Sequence, residues 1–201
     1  MDHADATSTS RLVGRLDRDR QQAFQQLYRR LAPALYVWAV LRIPPGLRHR
    51  LEPEDLLQET WYRAYMNLAA FRRELAPFRA WLHGIARNVL RDELRGLIRR
   101  HRRLPPLQSP QRTEALAGAL DEGASVTRQA MRDEGSRRLL AATRKLAGEE
   151  RQLLILRGLE GHTYEETGRL LDITAQAAES RWRRLRRKLQ ERLPDHRNLL
   201  A

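Results

Sequence analysis

Residues 161–189 read GHTYEETGRLLDITAQAAESRWRRLRRKL, and this stretch decides the fold. Thr163 followed three residues on by Glu166 is a capping box, in which each side chain satisfies a backbone N–H that the first turn of a helix leaves without a partner. A helix therefore starts at Tyr164, carries Leu170 and Leu171 toward a core, and stops at Asp172-Ile173. Thr174 then offers a second N-cap. Two helices joined by so short a turn form the helix-turn-helix pattern. In the second helix Ala178, Trp182, Leu185 and Leu189 keep helical spacing, so one stripe packs inward.

The other faces of that helix hold Gln176, Glu179, Ser180, Arg181, Arg183, Arg184, Arg186 and Arg187. A solvated basic helix would carry as much charge. The order of the residues favours DNA instead: side chains able to read base edges precede a run of arginines suited to phosphate.

Working outward, the 201 residues carry 38 Lys and Arg against 25 Asp and Glu, a net charge of +13. Such a chain concentrates near polyanions, nucleic acid before membrane, because the apolar faces of its helices are already committed to a core. No run reaches the roughly 18 apolar residues of a spanning helix, and the polar start MDHADATSTS lacks the apolar centre of a signal peptide. A cytoplasmic protein, not embedded in a membrane, is expected. With no cysteine there is no disulfide, thiolate metal site or thiol redox chemistry. The six histidines are scattered, and HTYEE at 162–166 lacks the second histidine of a metalloprotease helix. No catalytic residue, metal, cofactor or small-molecule substrate is expected, and an enzyme acting on nucleic acid lacks its cluster of carboxylates or histidines. Leu, Ala, Arg and Glu dominate and no alternating β-branched run exists, so the chain is predicted to be all-α.

Toward the N-terminus, residues up to about Leu16 are expected to be mobile. Phe24, Leu27, Tyr28, Leu31, Leu35 and Trp38 predict a core helix that Pro33 should kink or split. Beyond the break at Ile43-Pro44-Pro45-Gly46, residues 54–68 form the next helix. Leu57, Trp61, Ala64, Tyr65 and Leu68 face inward, while Asp55, Gln58, Glu59 and Tyr62 lie on another side. Carboxylates in a first turn compensate the helix dipole, which accounts for Glu54 and Asp55 but less well for Gln58 and Glu59. An acidic face on so basic a chain fits a protein partner with a basic docking surface.

A polar bend at 69–76 leads to the longest helix, about 77–101. Phe78, Trp81, Leu82, Ile85, Val89, Leu90, Leu94 and Leu97 line its inner stripe, and Arg79, Arg87, Asn88, Arg91, Arg95 and Arg99 are expected outside as a basic ridge. Trp81 reads as core. Phe71, beside Arg72 and Arg73 in the bend, is the better candidate to stack on an unpaired base. From Leu104 the chain turns rich in Pro, Gly, Ser and Thr, a flexible linker over 104–135 between a first domain at 17–103 and a second at 136–193. The second opens with Leu139, Leu140, Thr143 and Leu146 on one helix and continues with another over 149–157.

Taken together, PEDLLQETWYRAY at 53–65, FRAWLHGIARNVLRD at 78–92, LLILRGLEGHTYEE at 153–166 and SRWRRLRRKL at 180–189 resemble the bacterial sigma factors of the extracytoplasmic-function type, a branch of the sigma-70 family. The resemblance implies two small helical domains, core RNA polymerase and promoter DNA as partners, and promoter recognition with DNA melting as the task. By the same resemblance, Asp55, Gln58, Glu59 and Tyr62 bind the clamp coiled coil of the largest polymerase subunit. Phe71, Arg72 and Arg73 belong to the loop that captures a flipped base of the downstream promoter element, and Arg87, Asn88, Arg91 and Arg95 to the helix that holds its strand. Thr174, Gln176, Glu179, Ser180, Arg181, Arg183, Arg184 and Arg187 take the upstream element. An anti-sigma factor is a possible further partner, and association with the nucleoid is expected once the chain is in holoenzyme. The chain departs from the family where Glu179 replaces a basic residue and where Thr167-Gly168 replaces Ile-Ala. A stand-alone helix-turn-helix regulator is the alternative, and it would bind DNA tightly without polymerase.

Overall fold

The computed structural model describes residues 3–16, 19–101 and 134–192, and every regular element among them is helical. The expected linker lies outside the described residues, except that its last two positions already belong to a helix. Eight α-helices run in order: α1 His3–Arg15, α2 Arg20–Arg42, α3 Pro53–Met66, α4 Phe78–His101, α5 Glu134–Thr143, α6 Gly148–Leu153, α7 Tyr164–Leu171 and α8 Ala175–Arg192.

Helix α1 replaces the mobile start expected from its polar sequence. Leu12 and Val13 pack against the core and Leu16 is buried, so three apolar side chains at helical spacing suffice to seat it on α2. Asp19 caps α2 by accepting from the Gln22 N–H at 3.2 Å. Pro33 does not split this helix. Its missing hydrogen bond costs about 3 kcal/mol, which burial of Leu35, Val37 and Trp38, all with no exposed surface, offsets.

Pro53 stands in the first turn of α3, where a missing N–H is harmless. Trp61 anchors the first domain from α3: its ring centroid lies 5.4 Å from that of Phe24, 4.7 Å from Tyr28 and 6.4 Å from Phe78. Arg63 fastens α3 to α4 by bonding Glu59 at 2.7 Å and Asp92 at 2.8 Å.

In the second half the helix expected over 149–157 changes character. After α6 the chain makes a π turn, Leu154–Leu159, closed where the Glu160 N–H reaches the Ile155 carbonyl at 2.8 Å. The wider turn buries Leu154, Ile155, Leu156 and Leu159 on nearly all sides and brings Glu160 round to the first half. The buried side chains of both halves form one continuous apolar cluster, with α5 and the π turn packed on α2. The two sets of helices thus dock on each other.

Candidate nucleic-acid interface

The helix-turn-helix forms as its sequence dictates. Thr163 Oγ1 accepts from the Glu166 N–H at 3.1 Å and Glu166 Oε2 accepts from the Thr163 N–H at 2.9 Å, which fixes the start of α7. Asp172 closes α7 in the left-handed region at φ 55°. The turn back is tight because Gly168 has no side chain: a Cβ there would lie 2.7 Å from the Ile173 carbonyl oxygen. Leu170 differs from expectation. It is 59% exposed, since α7 has only one buried side and Thr167, Gly168 and Leu171 already fill it.

Thr174 Oγ1 caps α8 by accepting from the Ala177 N–H at 3.1 Å, so this hydroxyl orients the helix. Ala178, Trp182, Leu185 and Leu189 are buried as the stripe predicts. Gln176, Ser180, Arg183, Arg184 and Arg187 are exposed together on the outer side. Glu179 bonds Arg183 at 2.6 Å one turn away, and Arg181 reaches Glu149 of α6 at 3.0 Å. These exposed pairs are weak enough for a base or phosphate to displace.

On the first domain, Asn88, Arg91 and Arg95 form an exposed basic and polar row along α4. Two other arginines of the expected ridge leave it. Arg79 donates through Nε to the Leu159 carbonyl at 2.9 Å and through Nη2 to the Gly158 carbonyl, and burial beside the Arg157 charge lowers its pKa to about 10. It is an interdomain strut, because the docked second half offers carbonyls where solvent was expected.

Arg87 also turns to the second half and donates to Glu160 Oε2 at 2.8 Å. Sequence reasoning missed Glu160 altogether. Its side chain is 1% exposed, and Oε1 accepts from the Trp38 indole at 2.8 Å and from Arg42 Nη2 at 2.6 Å. Burial alone would raise this carboxyl. The Trp38 and Arg42 hydrogen bonds and the charges of Arg42 and Arg87 overcome that and hold it down at about 2.

In the bend, Phe71 is half-buried with its ring 5.3 Å from Phe78 and 5.1 Å from Trp81. Arg72 and Arg73 are exposed; Arg72 braces the bend through the Ala69 carbonyl at 2.6 Å, and Arg73 lies 3.5 Å from Glu74. A cavity of about 600 Å³ opens beside the bend, with Phe71, Arg73 and Glu74 on one side and Arg157, Trp182 and Arg186 of the second half on the other.

The acidic face of α3 is only partly free. Asp55 is exposed and Gln58 half-exposed, Glu59 is held by Arg63, and Tyr62 is buried at 9% exposure. Tyr62 was expected on the outer side and is instead buried.

Comparison with known proteins places both halves. The family model for sigma-70 region 2 matches residues 27–103, and that for sigma-70 region 4 matches residues 136–189. Sigma factor CarQ of Myxococcus xanthus is 31% identical over 176 residues, covering 86% of this chain and 90% of that one. The extracytoplasmic-function sigma factor BldN of Streptomyces coelicolor is 26% identical over 196 residues, 96% of this chain and 68% of its own. A probable sigma factor, RfaY of Xanthomonas campestris, is 34% identical over 140 residues, 70% of this chain, which thus spans about a third (34%) of that longer relative. The solved structure of CnrH in complex with the cytosolic domain of CnrY aligns over 96% of this chain and 99% of that one at 25% identity and a TM-score of 0.38.

Proposed function

The chain belongs to the sigma-70 family of RNA polymerase sigma factors, in its extracytoplasmic-function branch, and directs transcription initiation; from that premise we propose how its surfaces divide the work. Helix α3 presents Asp55, Gln58 and Glu59 to a cationic surface of core RNA polymerase. The bend with Phe71, Arg72 and Arg73, and the row Asn88, Arg91 and Arg95, take the melted downstream element. The outer side of α8 reads the upstream element, with Gln176, Glu179 and Ser180 at base edges and Arg181, Arg183, Arg184 and Arg187 at phosphates or guanine. Thr174 acts by capping that helix.

The reading is carried by one observation: an exposed carboxylate helix and two exposed basic helices occur on one chain, in the order of regions 2 and 4. A like-charged face near DNA costs affinity, so α3 serves a protein, while α4 and α8 serve the polyanion. Extruding a base costs a few kcal/mol, and stacking returns about 1–3 kcal/mol per base. Melting therefore needs polymerase as well as this chain. The chain works as a specificity subunit, without catalysis of its own, in the cytoplasm where polymerase and nucleoid are; an anti-sigma factor is a further partner proposed from the family.

Reconstituted transcription tests the proposal. Added to core polymerase, the chain should raise initiation at specific start sites on templates from its own genome. No rise on any such template would remove the reading. The alternative, a regulator acting alone, is not favoured, because region 2 is present as well as region 4.

A further inference from the structure

We propose that the free chain binds a small nucleoside phosphate in the cavity beside the bend, its phosphates on the arginines of the lining and its base against Phe71. The site does not depend on which helices hold DNA. Its consequence rests on the reading of the bend: Phe71 and Arg73 serve both ligands, so a bound nucleotide and an extruded base exclude one another.

The lining gathers positive charge with little to balance it. Among the described residues around the cavity are five arginines, Arg30, Arg73, Arg79, Arg157 and Arg186, and one carboxylate, Glu74, which lies 3.5 Å from Arg73. Burial lowers the pKa of Arg30, and burial together with the charge of Arg157 brings Arg79 down to about 10, so cations are crowded here against their own repulsion. Arg157 points to a counter-ion. Its guanidinium lies over the Tyr164 ring, 4.7 Å from the centroid, and its Nε is buried with no acceptor among the described residues. Burial of such a group costs free energy that an anion offsets, and phosphate is the anion whose oxygens match the fork of a guanidinium.

Phosphate alone would not fill the space. The cavity measures about 600 Å³, within the roughly 300–1,000 Å³ of small-molecule sites, and Val13, Leu31, Ala34 and Pro77 give it apolar walls between the arginines. Phe71, half-buried, offers a ring on which a base can stack, and Thr9 and Ser10 of α1 add hydroxyls suited to a sugar. Cationic groups on several sides, an aromatic ring and neutral hydroxyls together describe a site for a nucleotide.

Equilibrium dialysis of the full chain against ADP and GDP tests the site, at about 150 mM salt so that attraction by distant exposed charges is screened. At least one of the two should bind saturably in the micromolar range, and adenosine or inorganic pyrophosphate, each lacking half of the ligand, should bind at least about tenfold more weakly. Arg157→Gln and Arg186→Gln should each weaken nucleotide binding by about tenfold, whereas Arg29→Gln, an equal loss of charge at an exposed position outside the cavity, should leave it unchanged. Arg186→Gln keeps the test decisive if circular dichroism shows that loss of the Arg157 contact with Tyr164 has unfolded the chain. No saturable binding of either nucleotide below about 1 mM would overturn the site. So would a loss as large in Arg29→Gln as in the cavity variants, which is diffuse attraction, or pyrophosphate bound as tightly as the nucleotides, which is a site for the anion only. A trinucleotide of DNA bound more tightly than ADP and GDP, and weakened as much by Arg186→Gln, would assign the cavity to a promoter strand instead. All of these outcomes are read on the free chain, so the site can fail while promoter recognition stands.

Discussion

The indole of Trp182 occupies the space that a side chain on residue 158 would need: a Cβ on Gly158 would lie 2.7 Å from Cη2 and 3.2 Å from Cζ3. The contact joins the π turn to α8 and sets the angle at which the basic helix leaves the core. Trp182 is buried, and the Gly158 carbonyl also accepts from Arg79, which holds the turn against the ring.

Gly158→Ala should therefore destabilise the chain by about 1–3 kcal/mol through overpacking, and thermal unfolding should register the loss. Trp182→Phe in the same background frees space under the ring and should recover part of it. A Gly158→Ala protein that melts with the parent would show that the π turn is not locked by this contact.

Asp55 is the exposed carboxylate of the α3 face, whereas Glu59 is tied to Arg63. Asp55→Ala should weaken binding to core polymerase by about 1 kcal/mol, roughly fivefold, mainly through slower association at low salt. Its binding to upstream-element DNA should not change. Competition against the parent chain for core enzyme measures this, and equal affinities would move the docking surface off α3.

Arg184 is exposed on α8, while Arg181 and Arg183 already have carboxylate partners in Glu149 and Glu179. A guanidinium facing phosphate contributes to the salt dependence, so Arg184→Ala should lower upstream-element affinity by about 1–3 kcal/mol and reduce the slope of log K against log salt by about 1. Titrations at several salt concentrations would show it. A slope and affinity equal to the parent's would remove Arg184 from the interface.

What was legible in the sequence was what local rules determine. The Thr163–Glu166 box, the Thr174 cap and the Ala178–Leu189 stripe depend on neighbours within a turn or two, and all form as read. What was not legible depends on residues far along the chain. Glu160 looks like a polar residue at a helix end because its partners Trp38, Arg42 and Arg87 stand 122, 118 and 73 positions away. Arg79 was placed in solvent for the same reason. Pro33 does not split α2, since the local penalty is real but the burial that outweighs it comes from α3 and the second half. In the interface, the reading of α8 needed only helical period, whereas period alone placed Tyr62 outside, where it is in fact buried.

Stability should fall with acid in two stages that belong to two residues of the docking region. His83 is 2% exposed, and its Nδ1, 3.0 Å from the Arg79 carbonyl, carries the hydrogen of a neutral ring. Burial first, then the Arg79 charge, lowers its pKa from 6.5 to about 3. An unfolded chain takes up a proton below pH 6.5 that the native chain refuses until about pH 3, so native stability declines across that interval. Glu160 has the opposite chemistry and the same sign: its pKa is depressed from 4.5 to about 2, and the stability its ionised form supplies is fully present above pH 4.5 and lost as pH falls through about 2. Between pH 6 and 5 the decline belongs to His83 and approaches about 1.4 kcal/mol per pH unit. Below pH 4.5 Glu160 adds to it. Urea unfolding at pH 7.5, 5.5, 4 and 2.5 would trace both stages, and His83→Gln should flatten the first while leaving the second. Parent and variant curves that run parallel from pH 7.5 to 5.5 would show that this buried ring is not what acid attacks first.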